Sequence, residues 1–168
     1  MAEDASFQFR PLQTADFALL SHWHALPHVA EWWGALSSKD IAAQYGPEAT
    51  RPGVELYIVL HEGREIGFLQ CYDAAKSGDD WWPDAAKGTW GLDQFIGDPA
   101  LLGQGLGSAF VRAFADELLD RVDVKKVILD PKPANLRAIR AYEKAGFGRV
   151  GLIETPDGPA MLMEKQRA

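Results

Sequence analysis

The sequence predicts a single α/β (α+β) domain, residues 1–168, built on a mixed central sheet flanked by helices. Three observations predict it. Strand and helix patterns follow one another along the chain with no linker, low-complexity run or internal repeat, so they share one core. The strand Trp90–Ile96 breaks at Gly97-Asp98-Pro99, tightens through Gly103, Gly105 and Gly107, and enters a helix. A short apolar strand, Lys126–Asp130, then leads into a second helix, Asn135–Ala145, before two terminal strands.

The elements follow in order. Phe7–Leu12 alternates as a first strand, and Thr14 reads as the N-cap of a helix through Ala25. Pro27 interrupts that helix, and a second short one carries Val29–Trp33. Ser37 or Ser38 caps a helix ending near Tyr45, ahead of the loop Gly46–Gly53. Val54–Leu60 and Glu65–Tyr72 form a hairpin around His61-Glu62-Gly63-Arg64. Asp73–Gly88 is a polar loop containing Trp81-Trp82. In the helix Gly105–Leu119, Phe110, Ala113, Phe114 and Leu118 supply an apolar face at helical spacing. Gly146 closes the helix Asn135–Ala145. Arg149–Glu154 and Ala160–Glu164 flank the turn Thr155-Pro156-Asp157-Gly158-Pro159.

Composition narrows the function classes. A chain of 168 residues with 47% hydrophobic and 24% charged residues buries a core without disulfides or metals. The net charge of -7 argues against nucleic acid and suits a cationic partner. One cysteine, Cys71, fits a reducing cytoplasm. The N-terminus does not read as a signal peptide, and no apolar run is long enough for a membrane span. His22, His24 and His28 do not read as a metal set, because Pro27 interrupts the helix that would align His24 with His28. Cys71 has no partner base in the sequence that would make it a nucleophile.

Two stretches carry chemistry. Glycines at positions 103, 105 and 107 leave bare amides at the positive end of a helix, a geometry suited to phosphate. Asp93 lies mid-strand beside that loop, where aspartate has poor strand propensity and is costly to bury unpaired.

The run Leu102-Gly103-Gln104-Gly105-Leu106-Gly107, with Asn135 and Tyr142 on the later helix, resembles the GNAT superfamily of N-acetyltransferases. Five blocks in order sharpen it: HVAEWWG, SGDDWW, GLDQFIG, LDPKPANLRAIRAYEKAGF and TPDGPA together resemble the aminoglycoside 6'-N-acetyltransferases over nearly the whole chain. The resemblance implies a GNAT-type sheet, acetyl-CoA as co-substrate, no metal, and a cationic small-molecule amine as acceptor. It places the pyrophosphate on Gly103, Gln104, Gly105, Leu106 and Gly107, and the cofactor arm near Asn135, Phe95 and Ile96. It sets Tyr142 near the cofactor's sulfur, where it would serve the departing thiolate, and implies that Asp79, Asp93, Asp130 and Asp157 receive the substrate's amines. A protonated amine must also lose a proton before it attacks, and Asp93 is the candidate base. Trp33, Tyr45 and Trp82 then shape the pocket. Leu102 departs from the family pattern, since it has no side-chain donor where Arg or Gln commonly stands. Two alternatives remain: a siderophore-type acyltransferase acting on hydroxylysine-like amines, and a non-catalytic CoA-binding module.

Overall fold

The computed structural model describes residues 7–46, 52–77, 82 and 84–167. Its seven strands are β1 (Phe7–Pro11), β2 (Val54–His61), β3 (Arg64–Asp73), β4 (Thr89–Ile96), β5 (Lys126–Leu129), β6 (Gly148–Thr155) and β7 (Gly158–Gln166). Its helices are α1 (Phe17–His24), α2 (Pro27–Trp33), α3 (Ser38–Tyr45), α4 (Ala74–Ser77), α5 (Leu106–Leu119) and α6 (Leu136–Lys144). The strands form one sheet in the order β1-β2-β3-β4-β5-β7-β6, in which only the β4–β5 pairing is parallel. Among the described residues, no helix is long and apolar enough to cross a membrane.

Each face of the sheet buries its own apolar layer. On one face Phe110, Phe114 and Leu118 of α5 and Ile139 of α6 pack on Leu69, Leu92 and Val127. On the other, Leu20, Trp23, Val29 and Ile41 from α1–α3 pack on Ile58, Phe68 and Phe95. The period-two alternation of β4 therefore sends Asp93 and Phe95 to the α1–α3 face and Leu92 and Gln94 to the α5–α6 face.

Local chemistry sets the boundaries. Pro27 opens α2, where a missing N–H costs nothing. Ser37 forms a capping box with Asp40 at the start of α3. The β2–β3 turn places Glu62 and Gly63 at φ 52° and 79°, as a tight primed turn requires. Three expectations change. Thr14 is not a cap: it begins a single 3-10 turn, where the Asp16 carboxylate accepts the Gln13 N–H and two bonds from Arg10. The polar segment after β3 starts with a short helix, α4, because Asp73 Oδ1 accepts the N–H groups of Ala75 and Lys76. The last hairpin turns on Pro156-Asp157 alone, since Thr155 pairs with Gly158 and Glu154 with Pro159.

The feature that positions the site is where β4 and β5 part. They pair only at Thr89–Lys126, Trp90–Val127 and Gly91–Ile128, while β4 stays paired with β3 as far as Ile96. The Gly97 N–H bonds to the Ile66 carbonyl, so antiparallel alternation turns the backbone of Phe95 and Asp93 toward β3. The backbone of Gln94 and Ile96 is turned into the gap.

Candidate active site

A cavity of about 1580 Å³ occupies this gap. Sites for a single drug-sized ligand run to roughly 1,000 Å³, so the space suits two reactants side by side. Its wall carries both signs of charge. Arg137, Arg140 and Lys144 of α6 and Lys132 after β5 line it, as do the carboxylates of Glu31, Asp93, Asp130 and Asp157.

The loop has the geometry expected of an anion cradle. Gly103 and Gly105 hold φ 78° and 77°, and Gly105 is the N-cap of the 14-residue α5, so the helix's first amides meet the cavity. Gly103, Gly105, Leu106 and Gly107 all line it. Gln104 does not: its amide donates to the Ala100 carbonyl at 2.9 Å and braces the loop from outside. Leu102 lines the wall without a polar group. Arg137 brings a guanidinium to the loop, its Nη2 lying 3.5 Å from where a Cβ on Gly103 would stand.

Asp93 is half-buried on the α1–α3 face and accepts a bond from Gln70 Nε2 at 3.0 Å across the β3–β4 pair. Loss of water raises its carboxyl above the ordinary aspartate value of 3.8, and the Gln70 bond offsets part of the rise. Tyr142 is buried on the other face of β4, where Gln94 Nε2 donates to its oxygen at 3.0 Å. Burial pushes the Tyr142 phenol above its usual range, so the group keeps its proton. Because Gln94 supplies a donor, the Tyr142 O–H itself remains oriented to donate elsewhere.

The remaining predicted residues divide. Trp33 lines the cavity and packs edge-on against Phe68 and Phe95. Trp82 lines it too, its Nε1 donating to the Tyr72 hydroxyl at 2.8 Å. Asn135 N-caps α6 by accepting the Ala138 N–H, which leaves its Nδ2 as the donor on a cavity-lining side chain. Asp130 and Asp157 line the wall, and Asp157 is ion-paired to Lys132 at 3.4 Å. Phe95 packs its ring among Trp23, Trp33 and Phe68, and both it and Ile96 line the cavity. Tyr45 is core rather than wall: it is 4% exposed and its hydroxyl meets His24 Nε2 at 3.0 Å. Gln44 lines the cavity in its place. Asp79 lies outside the described residues.

Sequence reasoning missed several residues. Tyr72 is the largest omission: its ring covers Gly91, where a Cβ would stand 2.1 Å from the ring. Its hydroxyl is raised first by burial and then by the charges of Asp93 and Asp130. The cross-strand pair of a bare glycine with an aromatic was the available signal, but it required the strand register. Gln70, Gln94 and Glu31 carried no signal at all. His24 and His28, weighed as metal ligands, serve structure instead. His24 bridges the Gly34 carbonyl and Tyr45, and His28 Nε2 bonds the Ile96 carbonyl at 2.8 Å. Cys71 is buried and burial pushes its thiol up, which makes it inert.

The acetyltransferase (GNAT) domain family matches residues 13–155. The chain is 41% identical to the aminoglycoside N(6')-acetyltransferase type 1 of Klebsiella pneumoniae, over 96% of this chain and 84% of the relative. It is 26% identical to an N-hydroxyputrescine acetyltransferase of Acinetobacter baumannii, over 89% of this chain and 69% of that one. The crystal structure of aminoglycoside acetyltransferase AAC(6')-Ib with coenzyme A and kanamycin superimposes with a TM-score of 0.92 at 41% identity, covering 96% and 95% of the two chains. A parted β4–β5 pair, a left-handed glycine cap on α5 and a family match spanning most of the chain lead to one conclusion: the chain belongs to the GNAT acetyltransferase family.

Proposed function

We propose that this chain, as a single acetyltransferase domain, moves the acetyl group of acetyl-CoA to the 6'-amino group of an aminoglycoside antibiotic. The observation that carries the reading is one cavity lined both by the glycine loop with the α5 amides and α6 cations and by the carboxylates of Glu31, Asp93, Asp130 and Asp157. A pyrophosphate suits the first set and a polyamine the second.

The glycine-loop amides and Arg137 hold the phosphates, and the backbone of Gln94 with the Ile96 N–H bonds the cofactor's arm, the Ile96 carbonyl being held by His28. Asp93, directly or through water, takes a proton from the incoming ammonium, since a primary alkylamine such as lysine's, with a reference pKa of about 10.4, is charged at neutral pH. The amine then attacks the thioester carbon. A β4 amide facing the gap stabilises the developing oxyanion. As the carbon–sulfur bond breaks, Tyr142 donates its proton to the thiolate; the new amide nitrogen sheds its extra proton to water, and water reprotonates the Tyr142 phenolate. Trp33 and Trp82 wall the sugar rings, and holding the two reactants in line contributes alongside the proton transfers. The enzyme works in the cytoplasm, where acetyl-CoA is available, and confers antibiotic resistance. It needs neither metal nor nucleic acid.

Acetyl-CoA-dependent thiol release tests the reading, with kanamycin, tobramycin, a hydroxylysine-like amine and no acceptor compared side by side. Release with both drugs is expected. Release with only the hydroxylysine-like amine would make this a siderophore-type acyltransferase, and none with any amine would leave a CoA-binding module.

Tyr142→Phe checks the acid. A thiolate leaves more easily than most groups, so the expected loss in kcat is roughly tenfold to a hundredfold, at or below the low end for proton transfer. Acetyl-CoA affinity, measured by calorimetry, should be nearly unchanged. Equal single-turnover rates would leave Tyr142 as packing.

A further inference from the structure

Lys132 stands in the loop after β5 and lines the same cavity as the carboxylates proposed to receive cationic amines. Its ammonium lies 3.4 Å from Asp157 Oδ2 on the β6–β7 turn. A cation is out of place in a site for cations unless it stands where the substrate later does. We propose that Lys132 is a specificity-determining residue: its ammonium occupies Asp157 in the free enzyme, and a polycationic acceptor must displace it. The inference rests on the aminoglycoside reading above.

The ion pair does not hold the two loops together. The Met161 N–H bonds the Pro131 carbonyl at 2.8 Å and already ties β7 to the Lys132 loop. The Asp157 turn is closed by its own bonds, Thr155 Oγ1 donating to the Gly158 carbonyl and the Asp157 N–H donating to Thr155 Oγ1. Removing the ammonium therefore leaves Asp157 where it is. The side chains are 49% and 66% exposed, so the pair is weak and a substrate cation can break it. Breaking it raises KM for acceptors that need Asp157, and costs nothing to acceptors that do not reach it. Lys132 thereby disfavours the most highly charged acceptors relative to those with fewer amines.

The test is a double-mutant cycle on the full chain, read as KM for kanamycin. Lys132→Met should lower KM about two- to fivefold, the range of an exposed ion pair, whereas Lys132→Arg should not. In the Asp157→Asn background the Lys132→Met change should lower KM by distinctly less, because no pair remains to break. An unchanged or higher KM in Lys132→Met overturns the inference, as does an equal effect with Asn at 157. A raised KM for acetyl-CoA in Lys132→Met would also overturn it, by assigning the lysine to phosphate. Absence of kanamycin turnover by the wild-type protein is a separate result, which overturns the aminoglycoside reading and this inference with it.

Discussion

Asp93→Asn is expected to lower kcat by about a hundredfold to ten-thousandfold while changing KM far less. The amide keeps the Gln70 contact and the shape of the wall, but it takes no proton. Desolvation raises the Asp93 carboxyl, so it is a better base than an ordinary aspartate. The kcat/KM profile should therefore rise with pH through this raised value. In kcat itself the limb should move to lower pH, because a bound polycation favours the carboxylate. The same shift makes a stability prediction with a definite sign. As pH rises, the unfolded chain gives up this proton first, so the contribution to stability is full below the ordinary value of 3.8 and is lost through the folded one. Asp93→Asn should then raise the melting temperature of the free protein at pH 7 and change it little near pH 3. Thermal denaturation at both pH values, beside steady-state kinetics, checks both effects. A variant that is inactive and also less stable at pH 7 would make Asp93 a structural residue.

The second large effect is expected from Gly105→Val. A Cβ at this position meets nothing within 4 Å, so a steric clash is not the mechanism. The φ of 77° is, since a β-branched residue is strained there. Valine relieves the strain by leaving the left-handed region, which swings the cap of α5 and its amides away from the phosphate position. Binding must then restore the strained form, at a cost of about 1–3 kcal/mol, or roughly fivefold to a hundred-and-fiftyfold in affinity. Calorimetric titration with acetyl-CoA measures it on variant protein whose circular dichroism matches wild type. Gly105→Asn, better tolerated at positive φ, should recover much of the loss. Unchanged affinity in the valine variant would remove the loop from the site.

What was legible in the sequence was what one segment can state alone. The strand–glycine loop–helix run and the Asn135–Ala145 helix each carry their own start and stop signals. Helices Leu106–Leu119 and Leu136–Lys144 stand there within a residue of those bounds, with a short 3-10 turn, Pro99–Leu101, added in the loop. Asp93 declared itself by being polar within a strand. Residues whose role depends on a partner from another strand stayed hidden: Gln70 is defined by facing Asp93, and Tyr72 by covering Gly91. Tyr45 erred in the opposite direction. An aromatic at a helix end reads equally as pocket wall or as core, and the buried His24 decided the matter by supplying a partner for its hydroxyl. Gln104 shows the same limit at shorter range, because its amide turns back to Ala100 instead of toward the cavity.

The parting of β4 from β5 bears on how such a protein can change over time. Where the backbone of Gln94 and Ile96 faces the gap, the groups proposed to meet the acetyl donor belong to the peptide chain, and only a change to proline would remove one, its N–H. The donor side of the reaction is thereby insulated from most point substitutions, provided the glycines and the β3–β4 register persist. The proposed acceptor side instead rests on side chains such as Trp33, Lys132 and Asp157, each replaceable in one step. Variation in the acceptor is then inexpensive and variation in the donor is not. On the proposed reading, single substitutions in a chain of this design change its amine more readily than its acyl carrier.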